Sequence, residues 1–192
     1  KIVKRMIDEL HAIDTGKHEV IIKWQLFEHA GQNIPLSHEV FMWAYDYAKL
    51  HGYQTTASVF DKASLDFLLG FDIPFVKLAN RRDLDWLVGE VPRRIRIYQS
   101  FGGEDILNNG QFGYSNIEYL CCVSEYPATT GQYMEDFNGV DLEQGISDHT
   151  MYFNLWDRYE PLVYEVHYKL PDSKGLDAGK FARTAKDLKA IL

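Results

Sequence analysis

Short apolar runs bounded by helix caps alternate along almost the whole chain, and that rhythm limits the fold more than any single residue does. Residues 20–25, 54–58, 75–79, 94–99, 117–122, 144–147 and 163–168 read as seven strands, each followed by a helix or a loop. Residues 1–13 place Ile2, Met6, Ile7 and Leu10 at helical spacing, and Thr15-Gly16 ends that helix. Ser37 caps a second helix running to Leu50, with His38 and Glu39 in its first turn and His51-Gly52 at its close. Asp61 caps residues 62–69, Gly70 stops them, Pro74 introduces the next strand, and Asp83 caps a brief helix to Val88. The Asn- and Gly-rich stretch after Gly102 is too broken for a long helix, whereas 152–159 reads as a short helix and 178–192 as an amphipathic one.

This alternation implies an α/β fold with a parallel sheet. Because the chain opens on a helix, one more strand belongs in front of it. Eight strands in this order make a (β/α)8 TIM-type barrel, here abridged with its first strand missing, and such a barrel keeps its chemistry at the carboxyl ends of its strands. No linker or charge block interrupts the 192 residues, so 1–192 is read as a single domain. The net charge of −8 opposes nucleic acid as a partner, while a small anion depends only on local charge. No run of about 18 apolar residues is present, which argues against a membrane-spanning helix. Cys121 and Cys122 are adjacent and imply no disulfide framework; they read as core packing in a reducing, cytoplasmic setting. Abridged helices leave apolar strand surface uncovered, and a homodimer partner or an N-terminal segment is expected to cover it.

Polar residues near strand ends carry the functional signal. Strict alternation in 20–25 places Ile21, Lys23 and Gln25 on one face, and Lys77 stands in the same situation in 75–79. A buried ammonium needs an anion, so two readings stand: the lysines share an anion site, or each pairs with a neighbouring carboxylate or reaches the rim. His149 and His167 close consecutive strands and are candidates to meet at one metal, the alternative being hydrogen-bonded rim residues. Ser147, Asp148 and Glu165 are candidates to orient those imidazoles. His11, His18, His29, His38 and His51 read as surface. Arg81 and Arg82 read as solvated, with a phosphate contact as the alternative.

Six blocks then make a pattern: Ile22-Lys23-Trp24-Gln25, Thr56-Ala57-Ser58-Val59-Phe60-Asp61, Pro74-Phe75-Val76-Lys77-Leu78-Ala79, Cys122-Val123-Ser124-Glu125-Tyr126-Pro127, Gly145-Ile146-Ser147-Asp148-His149-Thr150 and Glu165-Val166-His167-Tyr168. In this order the chain resembles the sialic acid (N-acetylneuraminic acid) synthase family. The resemblance implies a β/α barrel that condenses phosphoenolpyruvate with an N-acylated hexosamine or related aldose, giving a 2-keto sugar acid and phosphate. It implies Lys23 and Lys77 as phosphoenolpyruvate-binding lysines, and these with Glu165 are taken as the catalytic residues. It places Ser58, Asn80, Ser100, Ser124 and Ser147 on the substrate. It implies His149 and His167 as ligands of a divalent metal, typically Mn2+, with Mg2+ or Co2+ as substitutes.

Departures from the family are also visible. Its first strand, with a functional glutamate and an Asn-His pair, is absent from these residues, as is its C-terminal antifreeze-like domain. Its Ala-Ser-Gly-Glu segment is replaced by Ala79-Asn80-Arg81-Arg82, and the loop after His167 is shorter. Two alternatives therefore accompany the synthase expectation: a barrel that binds a phosphorylated or carboxylated ligand without turnover, and an aldol-type lyase using Lys23 or Lys77 as a Schiff base.

Overall fold

A parallel strand covered on both faces needs apolar residues along its length, and Ala57, Val59, Val76, Leu78 and Ile97 are completely buried. The structure, a computed structural model, describes residues 1–28, 35–105 and 115–192. Its strands are β1 (Ile21–Leu26), β2 (Gln54–Val59), β3 (Phe75–Leu78), β4 (Arg96–Phe101), β5 (Ile117–Cys122), β6 (Ile146–Asp148) and β7 (Tyr164–Val166). Each pairs in parallel with the next, forming one seven-stranded sheet in sequence order. The helices are α1 (Ile2–His11), α2 (His38–Leu50), α3 (Lys62–Leu68), α4 (Thr130–Asp136), α5 (Asn154–Tyr159) and α6 (Ala185–Leu188), with 3-10 turns at Arg82–Glu90, Gly103–Asp105 and Leu176–Ala178. The sheet curls until Lys23 on β1 lies 3.1 Å from Glu165 on β7, the strand at the opposite edge. Among the described residues, β1 and β7 do not pair, so the barrel wall is open there.

Local chemistry explains most element ends. The Ser37 hydroxyl accepts from Val40 N at 3.3 Å and the Asp61 carboxylate from Ser64 N at 2.7 Å, as the cap signals require. Helix α4 is absent from the sequence reading although Thr129 and Gln132 form a capping box there. Asp83 departs from its expected role: its carboxylate takes the fork of Arg81, and the segment it was expected to cap winds as a 3-10 helix from Arg82. The largest departure is at the C-terminus, where 178–192 gives only the short α6. Upstream of it the backbone turns to β7 instead: Arg183 N donates to His167 O at 2.7 Å and Lys169 N to Arg183 O at 2.8 Å. The Lys169 ammonium, bound to the carbonyls of Ala178 and Gly179, holds this strap against the barrel mouth. His29 and most of the Asn- and Gly-rich stretch lie outside the described residues.

The core lies outside the sheet, between strands and helices. Phe41, Leu65 and Leu68 pack on β2 and β3, while Tyr133, Phe137 and Leu155 cover β5 and β6. Inside the curl, Leu120 packs closely over Gly145. A Cβ at Gly145 would lie 2.5 Å from Leu120 Cδ2 and 3.3 Å from Tyr119 O. Gly145→Ala therefore forces Leu120 toward the charged layer above it, and thermal denaturation is expected to register a loss of about 1–3 kcal/mol. An unchanged midpoint would show that Leu120 has room to move.

Candidate active site

Lysine side chains pointing into the curl bury their charge, and the sequence supplies one anion at the same level. Glu165 on β7 receives Lys23 at 3.1 Å and Lys77 at 3.3 Å. The Lys77 ammonium also donates to Ser100 Oγ and Leu78 O, both at 2.8 Å, so two of its protons are accepted beside the ion pair. Lys23 donates to Ser58 Oγ at 3.0 Å. The Ser147 hydroxyl joins Glu165 from β6. Burial alone would raise the Glu165 carboxyl, but Lys77 and Lys23 reverse that and hold it well below the usual carboxylate range. Burial pulls Lys77 down from its ordinary value while Glu165 opposes the shift. The cluster is thus a triad of two cations and one carboxylate, with one positive charge in excess in this inner layer.

Around it, the remaining expected residues separate into two groups. Ser58, Ser100 and Ser147 touch the triad. Ser124 and Asn80 instead meet each other, Asn80 Nδ2 donating to Ser124 Oγ at 2.9 Å. Cys122 is buried as expected, but on the inner face, its Sγ 3.9 Å from His149 Nδ1, and burial pushes its thiol up to about 11. Cys121, one residue earlier, points outward into the core beside Phe101 and Tyr133.

At the rim, β6 and β7 deliver His149 and His167 with ring centroids 5.1 Å apart. His149 Nδ1 donates to Val123 O at 2.7 Å, which leaves Nε2 as the unprotonated nitrogen. His167 Nδ1 lies 3.3 Å from Asp177 Oδ1. The orienting partners differ from those expected: Glu165 serves the lysines, Asp148 binds Tyr164 and Arg183, and the backbone of Val123 and a strap carboxylate do the orienting. Asp177 also accepts from Gln25 at 3.3 Å, and its pKa is lowered chiefly by the hydrogen bond to His167. Tyr126 lies against His149 at 4.2 Å, and Phe181 meets His167 edge-on at 4.9 Å, so two aromatic rings wall the imidazoles. Asp177, Phe181 and Tyr126 are site residues that the sequence reading missed. Of the histidines read as surface, His18 is half-buried with Nε2 unpartnered, and His51 Nδ1 donates to Tyr47 O at 2.9 Å.

Burial lowers the pKa of His149 to about 4, with its bond to Val123 O opposing. An unfolded histidine takes a proton near pH 6.5. Between these values the unfolded chain binds the extra proton, so metal-free protein loses stability as pH falls from about 6.5 toward 4, by on the order of 3 kcal/mol. Urea denaturation at about pH 7 and about pH 4.5 measures this loss, and His149→Gln is expected to remove most of the slope. A variant with the same slope would assign the acid sensitivity elsewhere.

No protein-family model matches the sequence, and no curated protein matches it. Solved structures do. The fold is shared with a sialic acid synthetase. The N-acetylneuraminic acid (sialic acid) synthetase of Leptospira borgpetersenii serovar Hardjo-bovis, in complex with citrate, superposes with a TM-score of 0.78 at 20% identity, covering 98% of this chain and 75% of that one. A putative spore coat polysaccharide biosynthesis protein E from Chromobacterium violaceum matches at 0.76 and 18%, covering 98% and 67%. A truncated 3-deoxy-D-arabino-heptulosonate 7-phosphate synthase from Thermotoga maritima matches at 0.63 and 11%, covering 98% and 78%. At these identities the likeness establishes the barrel architecture. No helix among the described residues is long and apolar enough to cross a membrane.

Proposed function

We propose that this chain is a sialic acid synthase-like enzyme that joins phosphoenolpyruvate to an N-acylhexosamine or related aldose, releasing phosphate and a 2-keto sugar acid. The observation that carries the reading is the Lys23–Glu165–Lys77 triad at the foot of the His149–His167 pair. An anion entering the triad meets the excess cation of the inner layer. It takes the proton of Lys23 left unused by Ser58 and Glu165, with hydroxyls of Ser58, Ser100 and Ser147 close by. Because Glu165 stays ionised, its part is to hold two ammonium groups at one level rather than to take up protons. In the reaction, the enol carbon bonds to the aldehyde carbon, water adds at the carbon bearing the phosphate, and phosphate leaves.

The imidazoles suit a divalent metal: both are aimed at one volume, His149 is neutral above about pH 4, and each has its Nδ1 committed to an acceptor. Among the described residues no third His, Cys, Asp or Glu joins them, so the remaining coordination would fall to water or substrate oxygens. Such an ion, manganese in the family the chain resembles, would polarise the sugar aldehyde. His149 and His167 would hold it, and Tyr126 and Phe181 wall the same volume.

Phosphate release from phosphoenolpyruvate, measured with manganese across a panel of N-acylhexosamines, tests the reading. Release that needs both metal and sugar, and that falls at least about tenfold in His167→Ala, is expected. One observation favours the competing reading of binding without turnover: the Lys77 ammonium is already engaged inside the protein, by Leu78 O, Ser100 Oγ and the Glu165 carboxylate 3.3 Å away. Tight phosphoenolpyruvate binding by calorimetry with no phosphate released by any sugar would select that reading. Borohydride trapping of Lys23 or Lys77 with a keto acid would select the Schiff-base lyase instead.

A further inference from the structure

The two imidazoles at the rim lie under a roof. His149 is only 3% accessible and Phe181 4%, because four aromatic rings close on one another there. Phe181 meets Tyr126 and His167 edge-on, both at 4.9 Å, and lies 6.2 Å from His149. Tyr126 covers another side of His149 at 4.2 Å. The roof is built differently from the core beneath it. Segment 171–180 is mostly exposed, and Gly175 bends there at a φ of +113°, a conformation that a residue with a side chain resists. Next to Phe181 the segment is tethered by polar contacts: the Lys169 ammonium on the carbonyls of Ala178 and Gly179, and the Asp177 carboxylate on His167 and Gln25. An exposed segment held in this way opens at lower cost than the sheet does. Gly179 lies against the Phe181 ring, where an added Cβ would stand 2.8 Å from Cδ1 and closer still to Cε1. The ring keeps its place because residue 179 has no side chain.

We propose that Phe181 is a gate over the imidazole pair and that segment 174–180 is the lid that holds it shut. In the closed position the rings leave His149 too little surface to meet a hydrated ion. When Lys169 and Asp177 release their partners, the segment lifts at Gly175 and Phe181 swings off the imidazoles. The same movement takes the Asp177 carboxylate away from His167 Nδ1, so one opening frees both rings. What passes the gate rests on the synthase reading: a divalent cation, then the aldose, neither of which fits between rings already in contact. Closure over them restores the aromatic cover, as lids do in other enzymes.

Carbethoxylation by diethyl pyrocarbonate tests the gate with neither metal nor sugar present, so a chain that releases no phosphate can still show it. An unprotonated imidazole nitrogen attacks a carbonyl carbon of the reagent, and ethyl carbonate leaves. At pH 7 His149 is neutral with Nε2 unprotonated, so cover and not protonation limits its rate. Mass spectrometry of the whole chain is expected to show His149 reacting at least about tenfold more slowly than the exposed His11. Phe181→Ala, and Gly179→Ala by displacing the ring, are each expected to raise the His149 rate at least about tenfold and to leave His11 unchanged. Lys169→Met, which removes a tether and no ring, is expected to raise it as well. Slow amide exchange at Ala57 and Ile97 verifies that a variant is folded; if Phe181→Ala fails this check, Gly179→Ala and Lys169→Met decide. Two results overturn the proposal: parent His149 reacts as fast as His11, or the folded variants leave its rate unchanged. Acceleration by Tyr126→Ala alone assigns the cover to Tyr126 and overturns the role of Phe181.

Discussion

Glu165→Gln is expected to lower the stability of the chain by about 3–5 kcal/mol, because it leaves two buried ammonium groups without their shared anion. Lys77 is the more exposed to this loss energetically, since its side chain is only 4% accessible and it cannot rotate into water. For a domain of this size each kcal/mol moves the midpoint by roughly 2–4 °C, so a fall of about 6–20 °C is anticipated. The same change identifies what the site holds. With the carboxylate gone the inner layer carries two unpaired cations, and an external anion takes its place. Inorganic phosphate at about a hundredfold over its dissociation constant returns about 2.7 kcal/mol to the variant. The parent, whose Glu165 already occupies the lysines, gains less. A variant as stable as the parent, or one that phosphate rescues no better than chloride at equal ionic strength, would remove the triad from the argument for an anion site.

The ionisation of Glu165 sets where this matters in pH. Its folded pKa is depressed, so the stability it contributes is present above the unfolded carboxylate value near pH 4.3 and is lost only as pH falls further, through the folded value. His149 acts earlier on the same path, between about pH 6.5 and 4. Acid unfolding of the parent is therefore expected to come in two stages, with the histidine stage first.

How much of this was legible in the sequence depends on the range of the interactions involved. Strand positions and the inward faces of Lys23 and Lys77 follow from alternation, a local property that the sheet preserves. The caps at Ser37 and Asp61 are equally local, three residues from the amides they satisfy. The strap at 169–184 is the opposite case. Its backbone bonds run to β7 and its side chains to the barrel rim, so no periodicity marks it, and an apolar pattern in 178–192 imitates a helix that Gly179 and the Arg183 pairing prevent. Asp177 is hidden for the same reason: the candidates to orient the imidazoles, Ser147, Asp148 and Glu165, lie on the adjoining strands, whereas a loop supplies the partner of His167. The lysine question was left open between an anion site and an internal ion pair. The structure shows the ion pair, with Lys23 and Lys77 both on Glu165, and the anion site belongs to the proposed function.

Arg183→Met carries the second large effect, and it tests whether the strap belongs to the site. Asp148, completely buried one residue before His149, lies 3.4 Å from the Arg183 guanidinium and also binds the Tyr164 hydroxyl and Thr150 N. The same guanidinium donates to Phe181 O at 3.0 Å and Tyr152 O at 2.9 Å. Removing it leaves a buried carboxylate with neutral donors alone and frees the carbonyl that places Phe181, at a cost of about 3–5 kcal/mol. Much of that cost is the stranded charge, so adding Asp148→Asn to Arg183→Met is expected to recover about 1–3 kcal/mol, a coupling that a double-mutant cycle reads directly. The remainder belongs to the strap. Phe181 and Asp177 are then held less firmly against the imidazoles, and amide exchange in 176–183 is expected to quicken while β2 and β3 stay protected. If the strap exchanges no faster in Arg183→Met than in the parent, its contacts with β7 hold it without the guanidinium, and Arg183 serves Asp148 alone.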